Sequence, residues 1–282
     1  MTTIKPSFTT KQINNALKKG GEITFEPGNY MLTECLVLYS NTKVIARSAN
    51  FIRQHKGRML QLYITPNTTE YNGVHDVEWH GGRFCANTSP ENANVVSLFH
   101  GKSIYMYDMD IQGCRGMHSI EVNACRDVIL MDCQITNQSV KDEEEFREAI
   151  QIDFANYDGL KVKGAKPTSP CYDGTHCDDV YIKQCAITIC PNGIGTHTVS
   201  KSNKYHKNVT IEGCSIGTKH KDIKLYGFAN CTIHATYCHD ILVGTKDTAH
   251  LNNGGVVGLL PTPKRNKNIK IDTYDDARIT IE

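Results

Sequence analysis

The chain has 282 residues, enough for one large domain or two ordinary ones. It carries 31 Lys and Arg against 30 Asp and Glu, so no strong single-sign field favours nucleic acid or membrane phosphates as a partner. The longest apolar stretches fall far short of the roughly 20 residues that span a bilayer, and the N-terminus lacks the apolar core of a signal peptide. We therefore expect neither a nucleic-acid-binding nor a membrane-spanning protein.

The first predicted element is a short helix, in a sequence with few other helical signals. The segment KQINNALKKGG (Lys11–Gly21) ends at glycine, the usual helix stop. We expect residues 1–30 to form an N-terminal cap that covers the open end of the strands that follow.

A nine-residue pattern then recurs along the chain. Its first position is a turn residue and its second and fourth positions are apolar. Its seventh and ninth positions are also apolar. The copies are DVEWHGGRF from Asp76, SIYMYDMDI from Ser103, DVILMDCQI from Asp127, DVYIKQCAI from Asp179 and NVTIEGCSI from Asn208, with a shortened NIKID from Asn268. Internal repeats of this kind indicate stacked structural units, each too small to bury a face alone.

A second strand precedes each of these copies by a short turn. The predicted set is VVSLF (95–99), SIEVN (119–123), AIQID (149–153), GIGTH (193–197), DIKLY (222–226) and DILVG (240–244). Stacking such rungs buries one continuous core, so we predict an all-β fold, a single parallel β-helix domain over residues 1–282. A sandwich of hairpins is the alternative, but the Asn-Gly turns that it needs are sparse.

The chain has 12 cysteines, and several recur inside the predicted strands. Cys133, Cys185 and Cys214 occupy the same position of three repeat copies, so stacking would place their thiols one above another. We interpret the strand cysteines as small buried hydrophobes with free thiols. The group Cys171, His176 and Cys177 could supply zinc ligands, but there is no second paired cluster at zinc-finger spacing.

The sequence resembles a known superfamily. The segment GGEITFEPGNYMLTECLVLYSNTKVI (Gly20–Ile45) looks like the opening rung of pectate-lyase-like right-handed parallel β-helix proteins. The run GMHSIEVN, EAIQID and GIGTHT is similar to polygalacturonase-related proteins and to bacteriophage tail polysaccharide depolymerases. The polygalacturonase motifs Asn-Thr-Asp, Gly-His-Gly and Arg-Ile-Lys are missing. The pair Asp178–Asp179 resembles that family's paired aspartates, but Asp179 lies at the repeat's turn position, so we interpret it as structural.

The outward positions of the second strand set predict a candidate site. With Ile120/Val122, Ile150/Ile152 and their equivalents facing inward, two ladders of side chains face outward. One ladder is Asn123, Asp153, His197 and Tyr226; the other is Glu121, Gln151, Gly195 and Lys224. Strand spacing of roughly 4.8 Å and same-face spacing of roughly 6.8 Å place Asp153 and Glu121 about 8 Å apart. We expect this outward face to be exposed to solvent, but its short polar side chains distinguish it from an ordinary solvated surface, and Gly193 and Gly195 would leave room for a bulky ligand.

The residue types on this face favour glycan chemistry. Two carboxyl groups about 6.5–9.5 Å apart suit an inverting glycoside hydrolase, so Asp153, Glu121, Glu148 at the strand entry and the neighbouring His197 are catalytic candidates. The long loop at residues 156–177 would lie over the face, with Asp173 as a further acid. Sugar contacts are predicted for His118, Asn123, Gln151, Tyr157, Tyr172, Lys224 and Tyr226. Each could instead be an ordinary polar, loop or turn residue.

The sequence therefore predicts a glycoside hydrolase that cleaves a bacterial surface or pectin-like polysaccharide without a cofactor or bound metal. One rival is a polysaccharide lyase, which needs a base and a cation such as calcium; few basic residues lie near Asp153. The other rival is a non-catalytic receptor-binding module. The resemblance and the lack of a signal peptide together favour a phage tail or another extracellular location, and the resemblance implies a homotrimer.

Overall fold

The computed structural model describes residues 1–87, 92–139, 147–157, 161–196, 204–244, 266–273 and 277–281. One α-helix, α1 (Thr10–Leu17), lies near the N-terminus, and a single 3-10 turn spans Pro170–Tyr172 within the described residues. The strands are β1 (Thr2–Ile4), β2 (Gly21–Phe25), β3 (Gly28–Leu32), β4 (Leu36–Leu38), β5 (Thr42–Ile45), β6 (Ala49–Arg53), β7 (Leu60–Leu62), β8 (His75–His80), β9 (Arg83–Cys85), β10 (Val96–Phe99), β11 (Lys102–Tyr107), β12 (Asp110–Gln112), β13 (Ile120–Asn123), β14 (Arg126–Met131), β15 (Gln134–Thr136), β16 (Glu148–Asp153), β17 (Asp178–Lys183), β18 (Ala186–Thr188), β19 (Asn192–Gly195), β20 (His206–Glu212), β21 (Ser215–Gly217), β22 (Lys221–Leu225), β23 (Phe228–Thr236), β24 (Asp240–Val243), β25 (Lys267–Thr273) and β26 (Arg278–Ile281).

The strands form three parallel sheets, and the chain visits the sheets in turn. Sheet A has the order β1-β2-β5-β8-β11-β14-β17-β20-β23-β25, sheet B has β21-β18-β15-β12-β9-β6-β3, and sheet C has β26-β24-β22-β19-β16-β13-β10-β7-β4. Each complete turn of chain contributes one strand to each sheet. The fold is therefore a right-handed parallel β-helix with a short N-terminal helix, and the predicted fold class is confirmed.

The nine-residue repeat corresponds to two strands and the corner between them. In the copy from Asp127, β14 lies in sheet A and β15 in sheet B, and the two residues between them turn the chain. Apolar residues at equivalent positions pair from rung to rung, as in Val128 with Val180 and Ile135 with Ile187. Because each copy buries apolar residues at the same positions of the repeat, the core is one continuous column.

The cysteine prediction is also confirmed. All twelve cysteines are free thiols, and the Cys185 thiol contacts those of Cys133 and Cys214 on the neighbouring rungs. The zinc alternative has no support, because Cys171 packs in a small separate cluster with Phe99 while Cys177 belongs to the main core.

The turn position of the repeat requires a left-handed backbone. Its residues have φ between 52° and 57°, and they are Asp76, Ser103, Asp127, Asp179, Asn208, Asn230 and Asn268. Asn and Asp tolerate this region better than most residues with a side chain. Three of them also form a ladder, in which Asn268 donates to Asn230 at 3.1 Å and Asn230 donates to Asn208 at 3.3 Å. Asp179 thus adopts the backbone of a turn residue.

The predicted N-terminal helix is present, but it ends at Leu17, before the glycine at which the sequence predicts its end, and Gly21 begins β2. Thr9 and Gln12 form a capping box, which satisfies backbone N–H groups at the first turn. Ile13 and Leu17 are buried against the first rungs. Asn14 Nδ2 donates to the Cys35 carbonyl at 2.9 Å, and its Oδ1 accepts from the Val37 backbone at 3.0 Å. The helix is therefore fixed to the adjoining rungs of sheets B and C.

The long connection from β16 to β17 packs against a second loop that the sequence analysis did not identify. This second loop, residues 63–74, connects β7 to β8. Backbone groups join the two, since the Cys171 N–H donates to the Pro66 carbonyl at 3.0 Å. The Tyr71 hydroxyl donates to the His176 carbonyl at 3.0 Å. Together the two loops build up the corner between sheets C and A.

Candidate functional site

The predicted ladders lie on the outer face of sheet C in the predicted register. Glu121 pairs with Gln151, Gln151 with Gly195, and Gly195 with Lys224. Asn123 pairs with Asp153 in the other ladder, and the same ladder continues to Phe99 on β10. His197 lies outside the described residues. Sequence reasoning therefore placed the side chains of Glu121, Gln151, Asn123 and Asp153 together correctly.

The prediction that this face is solvated is wrong. The side chains of Glu121, Asn123, Glu148, Gln151 and Asp153 are at most 2 % exposed. Burial of this kind is tolerated because the carboxylates find hydrogen-bond donors among their neighbours. Part of the cover is Arg58, whose guanidinium lies 4.8 Å from the centroid of the Phe99 ring and donates to the Lys161 carbonyl at 3.1 Å.

The prediction about the two glycines is also wrong. A Cβ at Gly193 or Gly195 would collide with the backbone carbonyl of Asp222 or Lys224 on the next rung. The two glycines therefore let β22 approach β19 closely. The backbone of β22 fills the space beside them, so no room is left there for a ligand.

Glu121 is the centre of the first group of polar side chains. Its carboxylate accepts hydrogen bonds from the amide of Asn94, from Ser97 Oγ at 3.0 Å and from Asn123 Nδ2 at 3.0 Å. Burial raises the pKa of Glu121 to about 6, while the Arg58 guanidinium and the Ser97 hydroxyl oppose the rise. A carboxyl group in this range can hold a proton in weak acid and release it near neutrality.

Asp153 lies one rung away in a different environment. Gln151 Nε2 donates to its Oδ2 at 3.1 Å, and the Phe154 backbone N–H donates to its Oδ1 at 2.7 Å. Donors of this kind stabilise the ionised form of a carboxyl group. The negative charge of Asp153 also contributes to the raised pKa of Glu121.

Glu148 belongs to a second group at the entry of β16. Its Oε1 accepts from Lys224 Nζ at 2.9 Å in an ion pair that is almost fully buried. His118 Nδ1 lies 2.8 Å from the Glu148 carbonyl and 3.7 Å from its carboxylate. The Gln138 amide donates to the same carbonyl at 3.4 Å. The structure thus brings Glu148, Lys224 and His118 together, as candidates for holding a polar ligand.

The loop candidates do not join these groups. Asp173 is exposed, and its carboxylate accepts from the backbone N–H groups of Glu70 at 2.7 Å and Thr175 at 2.9 Å. Burial alone would raise the pKa of Asp173, but these donors hold it below its ordinary value. Tyr157 and Tyr172 make an edge-to-face pair with ring centroids 5.3 Å apart inside the loop. Tyr226 packs against Gly244 at the end of β22.

Sequence reasoning missed four residues of the site, one of which is Gln138 beside Glu148. Asn94 and Ser97 bond to Glu121, and Arg58 lies over Phe99. Ser97 could have been found, because it occupies the same ladder as Glu121 one rung earlier. Asn94 and Arg58 lie outside the strands, and no periodic signal marks them.

The described residues offer neither a metal-binding cluster nor a membrane-spanning helix. Within these ranges, no group of three or more His, Cys, Asp or Glu side chains is arranged to hold a metal ion. None of the described helices has the length and apolar character needed to cross a bilayer.

Comparison with known proteins supports the fold. No protein-family model matches the sequence, and no curated protein matches it significantly. Two structures of PfbA, a surface adhesin of Streptococcus pneumoniae, superpose with TM-scores of 0.72 and 0.70 at 15% and 16% identity. The match covers 98% and 99% of this chain and 76% and 78% of the adhesin chains. A family 28 exopolygalacturonase of Yersinia enterocolitica covers 100% of this chain and 66% of its own, at 11% identity and a TM-score of 0.47.

The likeness to the two adhesin structures supports the fold and no more. The chain folds as a right-handed parallel β-helix. At such low identity the fold alone is shared, and function depends on the residues of the site.

Proposed function

We propose that the protein is a glycoside hydrolase that cleaves a polysaccharide at the outer face of sheet C. The observation that carries the proposal is a pair of buried carboxyl groups on neighbouring rungs. Burial raises the pKa of Glu121 to about 6, and the negative charge of Asp153 contributes to that rise. A carboxyl group with a raised pKa beside a second carboxylate is the arrangement that an acid and base pair uses.

The roles follow from these environments. Glu121 protonates the leaving-group oxygen as the general acid, and Asp153 activates a water molecule as the general base. The register places them one rung and two residues apart, a diagonal of about 8 Å between backbone positions. Inversion needs about 6.5–9.5 Å between the carboxyl groups themselves, and the backbone diagonal is compatible with that separation. The Glu148–Lys224 pair and His118 would position the sugar.

Access to the carboxylates requires movement of their cover. Glu121 and Asp153 are 1 % and 2 % exposed, and Arg58 joins Phe99 to the loop at Lys161. We infer that the loop and Arg58 move together to admit substrate, as active-site loops often do. The likeness to a surface adhesin supports an extracellular location, while the phage tail and the homotrimer stay predictions.

Two other functions deserve comparison. Recognition of sugar without cleavage is favoured by the depth of the carboxylates, which are satisfied by protein donors. A lyase is less well supported, because Lys224, the basic residue of the face, is ion-paired with Glu148 at 2.9 Å. Calcium would serve only the lyase.

The test is incubation with a panel of bacterial surface polysaccharides and pectins. New reducing ends and ultraviolet absorbance from a new double bond are followed in parallel for wild type, Asp153→Asn and Glu121→Gln. Glu212→Gln is the matched control, since Glu212 is an outward carboxylate on sheet A. Reducing ends that disappear only in the two sheet C variants support the hydrolase. Absorbance would indicate a lyase, and binding without either signal would indicate a recognition protein.

A further inference from the structure

A left-handed isoleucine lies at the corner between sheets B and C. Ile189 has φ 55° and a side chain that is 69 % exposed. The two preceding rungs use Gly113 (φ 73°) and Asn137 (φ 57°) at the equivalent position, whereas Thr218 on the following rung is not left-handed. Glycine and asparagine adopt this backbone readily, whereas it strains a β-branched residue. The two rungs before Ile189 therefore share its left-handed backbone, but they reach it without a β-branched residue.

The strained residue borders a cavity of about 350 Å³. One wall is apolar, formed by Ile189, Cys190 and Pro191. Lys219 and His220 form the other side and bring hydrogen-bond donors. Their backbone N–H groups bond to the carbonyls of Cys190 and Pro191, both at 2.9 Å, so the two sides are fixed relative to each other. The carboxylate of the nearby Asp222 accepts from Thr218, His239 and Asp240.

The cavity adjoins the candidate site. Gln138, which also lines the cavity, donates through Nε2 to the Glu148 carbonyl. Pro191 directly precedes Asn192, the residue that pairs with Glu148 in sheet C. A glycan lying over Glu148 could thus direct a substituent into this cavity.

We propose that this cavity binds the acetyl group of an acetylated sugar. The proposal rests on the proposed glycan-directed function and specifies its substrate class. A methyl group packs against Ile189 and Pro191, and the acetyl carbonyl accepts a hydrogen bond from Lys219 or His220. Strained residues cluster at ligand-binding sites, and a left-handed, exposed isoleucine at the edge of a cavity is therefore a position to test for ligand contact.

The experiment measures binding, so it does not depend on cleavage. Two matched pairs of probes are compared by saturation-transfer NMR and titration calorimetry. The first pair is tetra-N-acetylchitotetraose and cellotetraose; the second is acetylated xylan and the same xylan after mild alkali. The two pairs distinguish an amide-linked from an ester-linked acetyl group. Wild type is expected to bind one acetylated probe about tenfold more tightly than its partner, with saturation of the acetyl methyl protons.

The decisive variant is Ile189→Asn, which copies the residue of the preceding rung. It should relieve strain and raise Tm by about 2–4 °C while it abolishes the preference for the acetylated probe. Lys219→Met should weaken binding of that probe about fivefold without a gain in Tm. A purely structural Ile189 predicts the higher Tm with an unchanged preference, and that result overturns the proposal. Equal binding of both members of each pair, or binding of neither, also overturns it.

The outcome is separable from that of the proposed hydrolysis. Acetyl preference without any cleavage would reject only the hydrolase. Cleavage that depends on Asp153 and Glu121 without acetyl preference would reject only the cavity assignment.

Discussion

The outer faces of sheets A and C carry similar ion pairs in opposite surroundings. On sheet A, Lys183 meets Glu212 at 2.9 Å with side chains 32% and 42% exposed. On sheet C, Lys224 meets Glu148 at the same distance with side chains 8% and 0% exposed. An exposed pair contributes little to stability, and a buried pair carries a desolvation penalty that its attraction only partly offsets. Stability alone therefore does not explain the charges on sheet C, which supports a functional role for that face.

Breaking the buried pair should produce the largest effect. Lys224→Met leaves the Glu148 carboxylate buried without its ammonium partner, so we expect a loss of about 3–5 kcal/mol in the free energy of unfolding. Lys183→Met is the matched control on sheet A, with an expected loss below about 1 kcal/mol. Urea denaturation at pH 7 measures both. Similar losses in the two variants would contradict the distinction between the two faces.

Glu121 should make stability depend on pH. Burial raises the pKa of Glu121 from 4.5 to about 6, so the folded chain binds this proton more tightly than the unfolded chain does. The associated stability is complete below pH 4.5 and is lost as the pH rises through about 6. Relative to Glu121→Gln, wild type should thus lose about 2 kcal/mol over that window.

Urea denaturation of both proteins between pH 4 and pH 8 measures this difference. Glu212→Gln is the control from sheet A, and its free energy of unfolding should change with pH as that of wild type does. If the free energy of unfolding of Glu121→Gln also changes with pH as that of wild type does, the Glu121 carboxyl is not desolvated.

Removing Arg58 should lower the free energy of unfolding by a smaller amount. The effect should be concentrated in the loop around Lys161, to which Arg58 bonds over the outer face of sheet C. Arg58→Met loses the hydrogen bond to the Lys161 carbonyl and the cation–π contact with Phe99, together about 1–2 kcal/mol. Amide exchange should accelerate in residues 161–177 and stay unchanged in sheet A. The Arg58 guanidinium lowers the pKa of Glu121, so the variant should raise that pKa. Since Glu121 is the proposed general acid, cleavage by the variant should then fall off at a higher pH than cleavage by wild type. Unchanged exchange in the loop would show that Arg58 does not hold the cover.

The sequence predicts the fold better than it predicts the site, for a physical reason. The repeated turn residue and the apolar alternation, as in Asp127, Val128 and Leu130, are local signals that recur on every rung. They determine the sheets and the register, and hence which side chains are neighbours on sheet C. Burial of that face depends on contacts between distant segments, such as Arg58 with Lys161 and Cys171 with Pro66. No periodicity encodes such contacts, so the same ladder was predicted to be solvated.

The smallest predicted effect tests the turn residue that resembles a catalytic aspartate. Asp179 has φ 53°, and the equivalent Asn208 on the next rung has φ 52°. Asp179→Asn should therefore change the free energy of unfolding by less than about 0.5 kcal/mol and leave polysaccharide cleavage intact. Asp179→Val, which places a β-branched side chain at the same left-handed position, should destabilise by about 1–3 kcal/mol. Loss of cleavage in a fully folded Asp179→Asn would instead place the reacting centre at the corner at the start of β17. A residue that only supports the turn does not need its carboxylate, so its replacement by an amide should not affect cleavage.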